Sequence, residues 1–180
     1  MATVAKDITI WTKTTTGGPP ATMTYPEAAT QTFKAGWIVA LNASGYVIDP
    51  ASDTPSLILG LAVEDAHNAA AAGTSEIDVY LAIPSNLFAA NCLETSLADH
   101  VLTQADIGHV MGIQRDTVNN RLFLNASVAA GANIRVFTYE IAQGQPATPT
   151  AGFGPFVVGD TNVRLVFAFL PNWSSELATS

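Results

Sequence analysis

Residues 57–88 read LILGLAVEDAHNAAAAGTSEIDVYLAIPSNLF, two apolar runs joined by a connector of small residues. In the second run Ile77, Val79, Leu81 and Ile83 alternate with Glu76, Asp78, Tyr80 and Ala82. Side chains alternate faces along a strand, so this spacing predicts a half-buried β-strand with one apolar side. Residues 57–63 are apolar on both parities, the pattern of a strand covered on both faces. Residues 65–75 are too rich in Ala for a tight hairpin and read as a short helical or irregular crossover, in which Asp65 could serve as an N-cap.

Toward the N-terminus, Lys34-Ala35-Gly36 turns into a strand at 37–42, and Ala43-Ser44-Gly45 turns into another at 46–48. Residues 49–55, with Asp49, Pro50, Asp53 and Pro55, are a loop by local signals. Residues 33–88 therefore hold about four short strands, the spacing of a small sandwich or barrel. Ahead of them lie a short strand with Ile8, Ile10 and Trp11 as apolar anchors, then a Thr/Gly/Pro-rich segment at 12–32. The segment reads as a surface loop or as an extended arm that orders against a neighbouring subunit.

Toward the C-terminus, residues 89–102 lack a clear pattern and admit a helical turn. Ala105-Asp106-Ile107-Gly108 marks a turn into a strand at 109–114, and Asn119-Asn120 suits the connection to a return strand at 121–125. A strand is expected at 133–141, and Val163, Leu165, Phe167 and Phe169 alternate in the last one. Between these two lies a Gly/Pro-rich loop at 143–155, where Phe153, with Phe156 beyond it, is a candidate intermolecular anchor. No internal repeat is visible. The expected organisation is an N-terminal strand and arm over 1–32 and one β-rich domain over 33–180. Two β units divided near 93–104 are the alternative.

Of 180 residues, 48% are hydrophobic but only 12% are charged, about half the usual share. So weakly charged an exterior suits an assembly better than a solitary molecule. Seven Lys and Arg against 15 Asp and Glu give a net charge of −8, which repels polyphosphates and anionic lipid. Nucleic acid and membrane are therefore not expected partners. A single cysteine, Cys92, leaves no disulfide framework. The N-terminal residues lack the basic start and apolar core of a secretion signal, so synthesis in a cytoplasm is expected. On that expectation the sequons at Asn42, Asn125 and Asn172 carry no meaning.

Chemistry is harder to find. His67, His100 and His109 are scattered, without metal-ligand spacing to one another or to the lone cysteine. Glu64 and Asp65 are adjacent, so on a strand they face opposite ways and share neither a proton nor a metal. Glu76 and Asp78 share a face, opposite the apolar stripe, which a solvated surface explains. Neither a G-x-S-x-G elbow nor a phosphate-binding glycine loop is present, and Gly152-Phe153-Gly154-Pro155 lacks the lysine and helix such a loop needs. The expectation is a protein without enzymatic activity and without a cofactor or metal. Trp11, Trp37 and Trp173 suit either core packing or a sugar-binding surface.

The series FKAGWIVALNASGYVIDP, LILGLAVEDAH and SEIDVYLAIPSNLF, within residues 33–92, resembles the small head decoration (capsid cement) proteins of tailed bacteriophages. Gly60-Leu61-Ala62-Val63 and the alternating run from Ile77 to Phe88 fill that family's strand positions. The resemblance implies an all-β fold of short antiparallel strands, β-tulip-like, that forms a homotrimer on the outer capsid surface and binds the major capsid protein. It also implies that the N-terminal arm, with residues 3–11 as a donated strand, orders on the capsid lattice. Ile8, Ile10, Trp11, Tyr25, Phe153 and Phe156 are then the candidate capsid or subunit contacts. Residues 101–180 have no counterpart in the smallest members, so an enlarged form is expected. A tail accessory protein, or a carbohydrate-binding or host-recognition module, is the alternative, and a hydrolase with a loop-built site ranks last.

Overall fold

Short alternating runs with frequent turns produce strands. The computed structural model describes residues 9–10, 17–50, 58–93, 104–116, 121–127, 134–142, 145–146 and 164–170. In chain order the strands are β1 (Thr9–Ile10), β2 (Thr22–Pro26), β3 (Ile38–Leu41), β4 (Val47–Ile48), β5 (Gly60–Ala62) and β6 (Glu76–Leu81). They continue as β7 (Phe88–Leu93), β8 (Val110–Asp116), β9 (Arg121–Asn125), β10 (Ile134–Ala142), β11 (Gln145–Pro146) and β12 (Arg164–Phe169). Among the described residues the one helical segment is a 3-10 turn at Gln104–Asp106. None forms a helix long and apolar enough to cross a membrane.

The strands make two sheets, ordered β2-β6-β5-β3-β4 and β1-β7-β12-β10-β8-β9, with β11 alongside β10. All-β architecture from short, mostly antiparallel strands is thus as expected, and the four strands foreseen within 33–88 are β3 to β6. Other segments differ from expectation. Residues 22–26, assigned above to an arm, are a strand of the first sheet. The connector at 65–75 takes the irregular form of its two expected ones, so Asp65 caps no helix, and residues 89–93 are strand where a helical turn was admitted. The chain passes from one sheet to the other at 82–87, ahead of 93–104.

Two parallel contacts bring each sheet back to its own beginning. Glu27 bridges to Val47, linking the end of β2 to β4. In the second sheet β7 pairs in parallel with β9 through Cys92–Leu124 and Leu93–Asn125. Each path therefore closes, and the two circuits are the same. β2, β3, β4, β5 and β6 correspond in order and direction to β7, β8, β9, β10 and β12. Their registers also coincide. Met23–Val79 has its counterpart in Phe88–Phe167, and Val39–Gly60 in Met111–Ile134. Leu41–Val47 matches Ile113–Leu124, and Gly60–Leu81 matches Ile134–Phe169.

The equivalence extends to a turn. Gly36 and Gly108, at φ of 82° and 81°, each precede the second strand of their circuit, a dihedral that glycine adopts without steric cost. The next residue closes the turn in both: Trp37 N–H donates to the Lys34 carbonyl at 3.0 Å, His109 N–H to that of Asp106 at 3.1 Å. Gly36 N–H donates to Ala62 O at 2.8 Å and Gly108 N–H to Val136 O at 2.9 Å. Ala62 and Val136 in turn donate to the carbonyls of Trp37 and His109. The absence of a visible repeat is corrected: the chain carries one backbone plan twice.

The interiors are filled differently. Phe33, Val39, Val47, Leu59, Ile77 and Val79 form the first core. The second centres on Phe88, Phe167 and Phe169, whose ring centroids lie 5.1–5.8 Å apart in tilted and edge-on arrangements. Ile38, Ile58 and Leu61, from the outward side of the first circuit, belong to that same second cluster. The two halves thus share buried apolar surface, the dominant stabilising term in folding.

Candidate functional site

β2 positions the two features with chemical character, a buried carboxylate at one end and, at the other, an edge that no described strand pairs. Glu27 follows Pro26 and is fully buried. Burying a carboxylate is costly unless its oxygens are hydrogen-bonded. Here they accept from the His67 main-chain N–H at 3.1 and 3.2 Å and from the Ser75 hydroxyl at 3.1 Å. His67 Nδ1 lies 2.9 Å from Oε2. The Glu27 main chain adds a bond from its N–H to Ser75 O and accepts one from Gly73 N–H, each 2.9 Å.

A Ser-His-Glu triad requires the imidazole between hydroxyl and carboxylate. In this cluster the carboxylate sits between the other two and binds both. Such geometry fastens the 65–75 connector onto the first circuit and leaves the Ser75 proton committed to Glu27. Among the described residues no three His, Cys, Asp or Glu side chains converge as metal ligands.

Asp65, at the exposed start of the connector, accepts from Lys34 Nζ at 2.8 Å and from Ala35 N–H at 2.9 Å. Those bonds, the Lys34 one foremost, hold its carboxyl below the usual aspartate range. It therefore braces the Gly36 turn from the end of the neighbouring strand, β5.

The other end of β2 is an edge. Ala21 is held by buried Asn86, whose Oδ1 accepts its N–H and whose Nδ2 donates to its carbonyl, each at 2.9 Å. Leu81 N–H also donates to Ala21 O, and Glu27 N–H to Ser75 O, so the odd-numbered residues of β2 address β6. Neighbours in an antiparallel ladder point the opposite way, which turns the backbone groups of Thr22 and Thr24 outward. Thr22, Met23 and Thr24 are all exposed.

Of the candidate contacts, Ile10 lies in β1, which pairs antiparallel with β7 of its own chain through Thr9–Ala89 and Ile10–Phe88. Tyr25 is half-buried against the first core, and its hydroxyl donates to Met23 Sδ at 3.7 Å. Ile8, Trp11, Phe153 and Phe156 lie outside the described residues. The structure brings Ile10 and Tyr25 to different sheets. Glu27, Asn86 and Met23 were not singled out from sequence, since their partners are remote in the chain. No protein-family model, curated protein or solved structure matches this chain.

Proposed function

We propose that this chain is a structural protein of a tailed-bacteriophage virion, made in the host cytoplasm and bound to the outside of the capsid. It performs no catalysis. As an oligomer, a homotrimer by the resemblance, it bridges neighbouring major capsid subunits and so stabilises the shell, with each circuit acting as a β-tulip-like barrel. The repeated backbone plan carries this reading. The segments that resemble decoration proteins supply β3 to β6 of the first circuit, and the length beyond them is accounted for by a second unit of identical pairing. Two like units on one chain multiply modest contacts into strong attachment. The buried Glu27 carboxylate is used to hold a loop, and a net charge of −8 disfavours nucleic acid and anionic membrane as partners.

Cosedimentation with expanded phage heads tests the proposal. The protein is expected to pellet with shells and to raise their resistance to heat. A chain that stays in the supernatant with both procapsids and expanded heads defeats the reading.

A further inference from the structure

In the second circuit, the edge at Phe88 and Ala89 is occupied by β1. The equivalent residues of the first circuit are Met23 and Thr24, and among the described residues no strand pairs with them on the side away from β6. Among the described residues the same backbone edge is thus covered in one half and open in the other. The open edge, Thr22-Met23-Thr24, carries no charge and no bulge, the usual guards of an exposed strand. Met23 is 48% exposed, whereas its counterpart Phe88 is fully buried.

We propose that this edge pairs with its own copy on a second chain, β2 against β2, antiparallel about a two-fold axis at Met23. That register sets Thr22 opposite Thr24 of the partner and Thr24 opposite Thr22. All four residues already turn their N–H and C=O groups outward, so two bonded pairs form with four N–H···O bonds. The two Met23 side chains meet on one sheet face and cover each other. Asp78, the nearest acidic residue, sits one strand inside each sheet. Across the joined sheets the two Asp78 are three strand spacings apart, about 14 Å, beyond the screening length of about 8 Å at physiological salt. An isologous contact of this kind makes a closed dimer. It is independent of the three-fold association and of capsid binding proposed above.

Sedimentation equilibrium over a dilution series tests it with Thr24→Pro and Met23→Lys. Proline at 24 deletes an outward N–H and leaves the β6 ladder intact. The wild type is expected to double its mass with rising concentration, starting from the 18.8 kDa chain or, where the three-fold association forms in solution, from the trimer. T24P removes two of the four bonds and weakens association by about tenfold or more. M23K, which opposes two ammonium groups, does the same, with an unchanged circular dichroism spectrum. A monomeric wild type overturns the proposal, as does a dimer or trimer whose mass both variants leave alone. Should T24P not fold, amide exchange on the wild type decides: Thr22 and Thr24 must slow with concentration, and rates independent of it refute the pairing.

Discussion

Met23 and Phe88 hold the same place in the two circuits, across from Val79 and Phe167, yet one is 48% exposed and the other fully buried. Phe88 has β1 alongside it and packs against Phe167 and Phe169. Removing a buried aromatic side chain costs about 3–5 kcal/mol, while an exposed one costs about 0.5 kcal/mol or less. At a dilution where the β2 edges are unpaired, Phe88→Ala is therefore expected to lower the urea midpoint sharply and Met23→Ala hardly at all. Equal effects in the two variants would contradict the burial contrast.

Glu27→Ala leaves the His67 N–H and the Ser75 hydroxyl without their acceptor inside the structure. His67 is exposed and Ser75 half-buried, so water can replace part of what they lose. Each missing bond costs about 0.5–1.5 kcal/mol, or about 1.5–3 kcal/mol where the acceptor is charged. Urea denaturation should show a loss of at least about 2 kcal/mol, with faster amide exchange over 65–75. Unchanged exchange there would mean that the carboxylate does not hold the connector.

Gly60 tolerates no side chain, since a Cβ would lie 1.9 Å from Tyr80 O, a backbone atom. Its counterpart in the second circuit is Ile134. Gly60→Ala is expected to separate β5 from β6 and cost more than about 3 kcal/mol, whereas Ile134→Ala costs about 2–5 kcal/mol by leaving a cavity. A G60A variant as stable as the parent would show that the close approach relaxes freely.

Asp65 provides a pH observable. Its folded pKa lies below the unfolded value, so its contribution to stability is complete above the unfolded pKa and is lost as pH falls through the folded one. Carboxyl carbon NMR should place its midpoint below that of an ordinary aspartate, and Lys34→Met should move it back up. A midpoint insensitive to Lys34 would assign the shift to Ala35 N–H alone.

Because Ile38, Ile58 and Leu61 of the first half lie in the second half's cluster, the halves should unfold together. Calorimetry is expected to give one transition with matching van't Hoff and calorimetric enthalpies. Two resolved transitions would show that each circuit is independently stable.

Strands with strong alternation were legible: β6, with its buried Ile77, Val79 and Leu81, and β9, whose bounds match the expected 121–125. The turns at Gly36 and Gly108 were each readable too, from a glycine before an apolar run. β2 was not, because Thr and Pro gave TMTYP the look of an irregular arm, while its pairing with β6 is set by residues far along the chain. The repeat was hidden for a related reason. Equivalent positions share backbone bonds but not side chains: Glu27 stands where the other half has Cys92, Trp37 where it has His109, Gly60 where it has Ile134. Glu27 itself could not be found locally, as His67 and Ser75 lie 40 and 48 positions away.

The neighbouring of first and last strands within each circuit has a kinetic consequence. The N-terminal circuit can close once Leu81 has left the ribosome, whereas the other waits for Phe169. In that interval Ile38, Ile58 and Leu61 face solvent on a half-finished protein, a species prone to aggregate. Slower synthesis of the second half is therefore expected to lengthen the exposure of that surface and lower the yield of soluble product.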